Sequence, residues 1–289
     1  MPPPGPEPAA PAVDVLGVRF HSLTRVEAAR AIAGLAQSGH QAYVVKPYSE
    51  FMPRAVKDRA VREILNGADL CLADGAGILW AAHYLSLRGG AARAMWQLPL
   101  SLASLVLKPG ALRRPLKENM AGVDLTWELL TQLDAIGASV YLLGGTEAEV
   151  RGARGRIEAR LSRLRIVGAR RGYFDVGGAE NEAVVAEINA ASPQALLVAM
   201  GFPLQERWIA ANLSHLNVNV AIAEGGSLSF ISRVTRRAPA WMRRAGLEWL
   251  FRLMRQPWRL RRQLALPVFV WLVMRERMRR NRSAKRRSA

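Results

Sequence analysis

Along the chain, short runs of apolar residues alternate with stretches whose apolar positions recur at helical spacing. The runs are Ala42 to Val45 ("AYVV"), Asp69 to Ala73 ("DLCLA"), Ser139 to Gly145 ("SVYLLGG"), Leu164 to Gly168, Ala195 to Gly201 ("ALLVAMG") and Val218 to Gly226 ("VNVAIAEGG"). Each ends in small or turn-forming residues. Between them lie amphipathic helix patterns over Thr24 to Ser38, Pro53 to Leu65, Val123 to Ile136, Glu147 to Leu161, Ala179 to Ala190 and Leu204 to Asn212. Strands that are apolar at nearly every position are buried on both faces, so the alternation predicts an α/β fold: a mostly parallel sheet flanked by helices on both faces.

Two apolar segments break the rhythm. Ala94 to Leu107 ("AMWQLPLSLASLVL") is uncharged, and Gln263 to Met274 ("QLALPVFVWLVM") is uncharged and bordered by Arg261, Arg262, Arg275 and Arg277. Both fall short of the roughly 20 residues needed to span a bilayer. A helix lying in a membrane interface fits their tryptophans and basic flanks. A buried helix or an oligomer contact fits the same pattern.

Charge sharpens this division. The chain carries 41 Lys and Arg against 23 Asp and Glu, a net of +18. From Arg233 to Ala289 there are 18 basic residues and two acids, a net of +16, which leaves +2 for residues 1–232. Three parts are expected: a Pro/Ala-rich disordered tail over 1–12, an α/β core over 13–232, and a basic, amphipathic, membrane-associating appendage over 233–289. A basic segment is drawn to polyanions, and its apolar run and four tryptophans (Trp241, Trp249, Trp258, Trp271) favour an anionic membrane surface over nucleic acid. The start of the chain lacks the basic and apolar regions of a signal peptide. The single cysteine, Cys71, excludes an intrachain disulfide and suits a reducing compartment.

In a parallel α/β sheet, ligands bind beyond the carboxyl ends of the strands. The loops expected there are "KPYSE" after Val45, "DGAG" after Ala73, "GGTEAE" after Leu143, "GFPLQE" after Met200 and "EGGS" after Ala223. Asp74 can serve as a general base, with Gly75 and Gly77 keeping the backbone open beside it; the same position suits a helix N-cap. Gly144 and Gly145 resemble a phosphate-cradling turn, as do ordinary strand-to-helix turns. The four histidines are scattered and no Asp-x-Asp pair occurs, so no metal site and no cofactor is expected.

Taken together, "ADLCLADGAGILWAA", "VYLLGGTEAEV", "GFPLQERWI" and "RRAPAWMRRAGLEWLFRLMRQPWRLRRQ" resemble the WecG/TagA/CpsF glycosyltransferases, in family order from about Val13 to Gln263. The resemblance implies a Rossmann-like α/β fold and a metal-independent, inverting transfer of a sugar from a UDP donor to an undecaprenyl-diphosphate-linked acceptor, serving cell-surface polysaccharide synthesis. It further implies a cytoplasmic protein held peripherally on the inner face of the membrane, and leaves homo-oligomer formation possible. Asp74 matches the family's proposed base. Lys46, Tyr48, Gly75, Gly144, Gly145, Gln205, Glu206, Gly225 and Gly226 fall in the implied sugar pocket. Arg237, Arg252, Arg259 and Arg262 fall among the arginines implied to neutralise the leaving diphosphate.

Departures from the family pattern are specific. Lys46 and Tyr48 stand where the first loop has Thr and Asn, Leu204 where a Lys is usual, and Leu228 and Ser229 where Phe-Asp is usual. The segment from about Ala91 to Asn119 is longer than usual. These changes favour an altered sugar specificity, with Lys46 contacting an anionic group on donor or acceptor. The alternative is a weakened or non-catalytic member acting as a scaffold in a polysaccharide assembly complex.

Overall fold

The computed structural model describes residues 10–235, positions 239, 242, 251, 253 and 254, and residues 260–287. Arg237, Arg252 and Arg259 lie outside the described residues, as do Trp241, Trp249 and Trp258.

A hairpin of β1 (Ala12–Val15) and β2 (Val18–His21) precedes the main sheet. Six parallel strands follow: β3 (Ala42–Val45), β4 (Leu70–Cys71), β5 (Ser139–Gly144), β6 (Arg165–Arg170), β7 (Ala195–Ala199) and β8 (Val220–Ala223). Their spatial order is β4-β3-β8-β7-β5-β6. The chain builds outward from β3 to β4, then crosses to the other half and returns inward through β7 and β8. The crevice where these directions diverge lies at the carboxyl ends of β3 and β8, which pair in register from Ala42 with Val220 to Val44 with Ile222.

Period-two alternation divides the strand residues between two cores. Tyr141, Leu143, Leu196, Val198, Ala221 and Ala223 pack on one face, beneath α2 (Met52–Lys57), α3 (Arg59–Gly67), α4 (Ala76–Ser86), α8 (Ala179–Ala191) and α9 (Leu204–Asn212). Val140, Leu142, Leu197, Val220 and Ile222 pack on the other, beneath α1 (Arg25–Gln37), α6 (Gly122–Ala135), α7 (Glu147–Glu158) and the short α10 (Ser227–Ile231). All six residues of β5 are buried, as its continuous apolar character requires.

The six expected strands form at their expected places. The single helix expected over Pro53 to Leu65 is two helices, because Asp58 leaves helical geometry (φ −106°, ψ 103°) and its carboxylate accepts from Val61 N, capping α3. The hairpin at Ala12 to His21 and the helix α4 carried no expectation. Helix α4 follows β4 directly, and its 11 residues include six buried ones, so its pattern gives no amphipathic stripe.

The two segments that broke the rhythm are both helical. Ala91–Leu107 forms α5, and the second run opens the long terminal helix Ala265–Arg287. This helix is built into the first core: Phe269 and Val273 are buried there and Phe269 meets the Trp80 ring edge-on, with centroids 6.1 Å apart. The second run is therefore part core and part surface. No helix among the described residues is long and apolar enough to cross a membrane.

Candidate active site

Asp74 stands at the carboxyl edge of the sheet, where β4 gives way to α4. Its neighbour Gly75, at φ +91°, is the N-cap of α4, so Asp74 sits one residue ahead of the cap position. The loop is fixed by its backbone. Asp74 N donates to Pro47 O (3.3 Å), Met120 N to Ala73 O (2.9 Å), and Gly75 N to the side-chain oxygen of Asn119 (2.6 Å). The half-buried carboxylate faces the start of α6. A methyl group added to Gly122 would lie 3.3 Å from Asp74 Oδ2 and 3.5 Å from Ser227 Oγ, so a glycine there keeps the space beside the acid open.

Behind this space lies a buried polar cluster. Lys46 Nζ pairs with Glu224 Oε2 at 2.7 Å, with both side chains essentially inaccessible. Thr126 Oγ1 lies 2.5 Å from the same carboxylate oxygen and 3.1 Å from Ser227 Oγ. The second oxygen, Glu224 Oε1, has no hydrogen-bond partner among the described residues. Lys46, the expected contact for an anionic substrate group, therefore already has a carboxylate for its partner. Register explains this: β3 and β8 are adjacent and parallel, so the residues that follow them meet.

Gln205 joins the next two loops. Its Oε1 accepts from Gly201 N (3.1 Å) and Gly225 N (3.0 Å), holding the turns after β7 and β8 together. Its Nε2 donates to Glu206 Oε1 at 2.9 Å. Glu206 is buried, its other oxygen has no partner among the described residues, and burial pushes its pKa up to about 7. A carboxyl held above its ordinary value of 4.5 favours the protonated folded state. The folded protein then binds more protons than the unfolded chain between pH 4.5 and 7, and stability contributed by Glu206 falls as pH rises through that window. Glu206→Gln is expected to match the wild type near pH 4 and to exceed it by about 3 kcal/mol near pH 8, as read from urea midpoints at both pH values.

Tyr48 lies beside Gly75 and stacks toward Phe51 (centroids 3.7 Å apart), which stacks in turn on Phe202 at 3.6 Å. This aromatic row closes one side of the crevice between the loops after β3 and β7. Gly225 and Gly226 form the turn into α10; Gly225, at φ +58°, takes a conformation that suits glycine.

The turn after β5 is organised differently. A Cβ on Gly144 would come 2.4 Å from Ala199 O, so this glycine permits close strand packing. Thr146 and Glu149 form a capping box at the start of α7. Glu149 also accepts a hydrogen bond from Ser229 Oγ, which ties α10 to α7. The helix N-terminus beyond Gly145 is thus capped by the side chains of Thr146 and Glu149. Arg262 lies in the short helix Leu260–Gln263.

Glu224, Thr126, Ser227, Asn119 and Gly122 were not singled out in the sequence. Glu224 had a readable signal, since "AIAEGG" repeats the arrangement of "CLADGAG": an apolar strand, then a carboxylate, then glycines. Ser227 opens α10 after the turn at Gly225 and Gly226, while Asn119, Gly122 and Thr126 come from the start of α6 and the loop before it, which only the tertiary fold brings to this edge.

A doubly wound parallel sheet, with an acid at an open strand end and buried carboxylates converging at its switch point, defines an α/β enzyme that handles a polar ligand at the sheet's carboxyl edge. The family model "Glycosyl transferase WecG/TagA/CpsF family" matches residues 13–98 and 99–283, and the chain belongs to that family: it is a glycosyltransferase. Similar proteins include those of Staphylococcus aureus strains MW2, NCTC 8325 / PS 47 and MRSA252, each named N-acetylglucosaminyldiphosphoundecaprenol N-acetyl-beta-D-mannosaminyltransferase. Each is 27% identical over 263 residues, covering 90% of this chain and 91% of the relative.

Proposed function

We propose that this protein transfers an N-acetylmannosamine-type sugar from a UDP donor to a polyprenyl-diphosphate-linked acceptor, inverting the anomeric configuration without a metal ion. The placement of Asp74 carries the reading: it stands at the open end of β4 beside the space that Gly122 leaves. The names of the staphylococcal relatives supply the chemical class of donor sugar and acceptor.

In this mechanism the acceptor hydroxyl gives its proton to the Asp74 carboxylate as its oxygen attacks the donor's anomeric carbon. The new bond to that carbon forms as the bond to the UDP oxygen breaks, and the electron pair leaves with the diphosphate. Base catalysis of this kind contributes about 10²–10⁴-fold. Neutralising the diphosphate falls to Arg237, Arg252, Arg259 and Arg262, whose guanidinium groups suit it by charge and fork geometry. Glu224, wholly buried behind the space beside Asp74, holds Lys46 and Thr126 in place. The basic C-terminal segment attracts an anionic membrane, consistent with peripheral association at the cytoplasmic face where a lipid-linked acceptor would be met.

The test is a transfer assay with a panel of UDP-sugars against an N-acetylglucosaminyl-diphosphoryl polyprenol in detergent. Transfer from UDP-N-acetylmannosamine or a close analogue is expected. Calorimetric binding of no UDP-sugar, together with no transfer, would overturn the enzymatic reading in favour of a scaffold.

A further inference from the structure

Helix α5 is built inside out. Two of its polar residues point toward the protein: Ser101 Oγ accepts from Trp80 Nε1 (3.0 Å), and Gln97 accepts from Arg277 of the terminal helix. Beyond the exposed Arg93 its outer face is apolar, with Trp96 at 78%, Leu107 at 76% and Leu100 at 70% exposure, and Met95, Pro99, Ala103 and Val106 also exposed. A helix on a water-facing surface normally shows the opposite arrangement.

The adjacent terminal helix continues the pattern. Leu264, just ahead of it, and Val268 and Trp271 within it are exposed, followed at helical spacing by exposed Arg275, Arg279 and Arg282. The Arg275 guanidinium lies 5.4 Å from the centre of the Trp271 ring. From Gly75 to Lys117 the chain holds six basic residues, Arg88, Arg93, Lys108, Arg113, Arg114 and Lys117, and no acid.

We infer that the outer face of α5, together with the apolar half of the terminal helix, is the surface that embeds in an anionic membrane, with α5 as the inserted element. This builds on the proposed use of a lipid-linked acceptor and assigns the contact to a particular helix pair. The charge decides the occupant. A basic rim around an apolar stripe complements anionic headgroups above acyl chains. A second copy of a chain carrying +18 would set like charges against each other around the same stripe.

The arrangement also ties this surface to the site. Trp80, hydrogen-bonded to α5, lies about 6 Å along α4 from its first residue, Ala76, at helical rise. Phe269 of the terminal helix packs near Gly77 in the first turn of the same helix. Both docking helices are thus attached to the helix that follows the base.

The test uses the full chain with Trp96→Glu/Leu100→Glu/Leu107→Glu, and a milder set with serine at the same positions. Binding to phosphatidylglycerol/phosphatidylethanolamine vesicles is expected to weaken at least about tenfold. Transfer to a short-chain, water-soluble acceptor is expected to persist, while transfer to the same glycolipid in vesicles falls with binding. In parallel, brominated-lipid quenching of the wild-type fluorescence is expected to drop in Trp96→Phe, a readout that does not depend on the charged variants folding.

Variants that float as the wild type does, or quenching unchanged in Trp96→Phe, would overturn the inference. So would conversion of a dimer to a monomer with vesicle binding intact, which would assign the face to a second copy. If the wild type binds vesicles through α5 yet transfers sugar to no polyprenyl acceptor, the surface stands and the proposed reaction fails.

Discussion

Asp74→Asn is expected to lower kcat by about 10²–10⁴-fold while leaving donor binding and the unfolding midpoint close to wild type. The loop's geometry is held by backbone groups and by Asn119, through Ala73 O, Asp74 N and Gly75 N, and the side-chain amide is nearly isosteric with the acid. What asparagine loses is the ability to accept a proton from the attacking hydroxyl. Single-turnover transfer, with UDP-sugar binding followed separately by calorimetry, isolates that loss. A variant with full turnover would remove Asp74 from the role of base.

The second large effect concerns stability. Lys46→Met removes the cation from a pair whose carboxylate is wholly buried, and the variant is expected to lose roughly 3–5 kcal/mol because Glu224 is left as an uncompensated charge. Thr126 compensates only in part, since a hydroxyl can hydrogen-bond the carboxylate without neutralising it. Adding Glu224→Gln to Lys46→Met is expected to recover much of the loss, because the pair's mutual attraction is largely offset by the cost of desolvating both ions. A double-mutant cycle by urea denaturation measures the coupling. Near-additive single losses would show that the two side chains do not share one buried site.

This pair also bears on the first-loop departure. A lysine after β3 reads in isolation as a free cation for an anionic substrate group. Its position beside Glu224 gives it a buried carboxylate as counter-ion.

Much of this protein was written in its periodicity. Strands buried on both faces must be apolar at nearly every position, and helices covering them must be apolar on one stripe, so the sheet and most of its helices were legible. Asp74 was legible too, as a carboxylate at the end of an apolar run before glycines, and the blocks around it pointed to the family. Three things were decided only by tertiary structure. The β3–β8 pairing set Lys46 against Glu224, although 178 residues separate them. The packing of α4 against α5 and the terminal helix turned Gln97 and Ser101 inward and left an apolar face outward, which the sequence does not disclose because polar positions at that spacing read as a water-facing side. The pairing of β5 with β7 set Gly144 against the backbone of Ala199, where a Cβ has no room. Local pattern sets which elements form; the charge pairs, apolar faces and open spaces between them depend on which elements become neighbours.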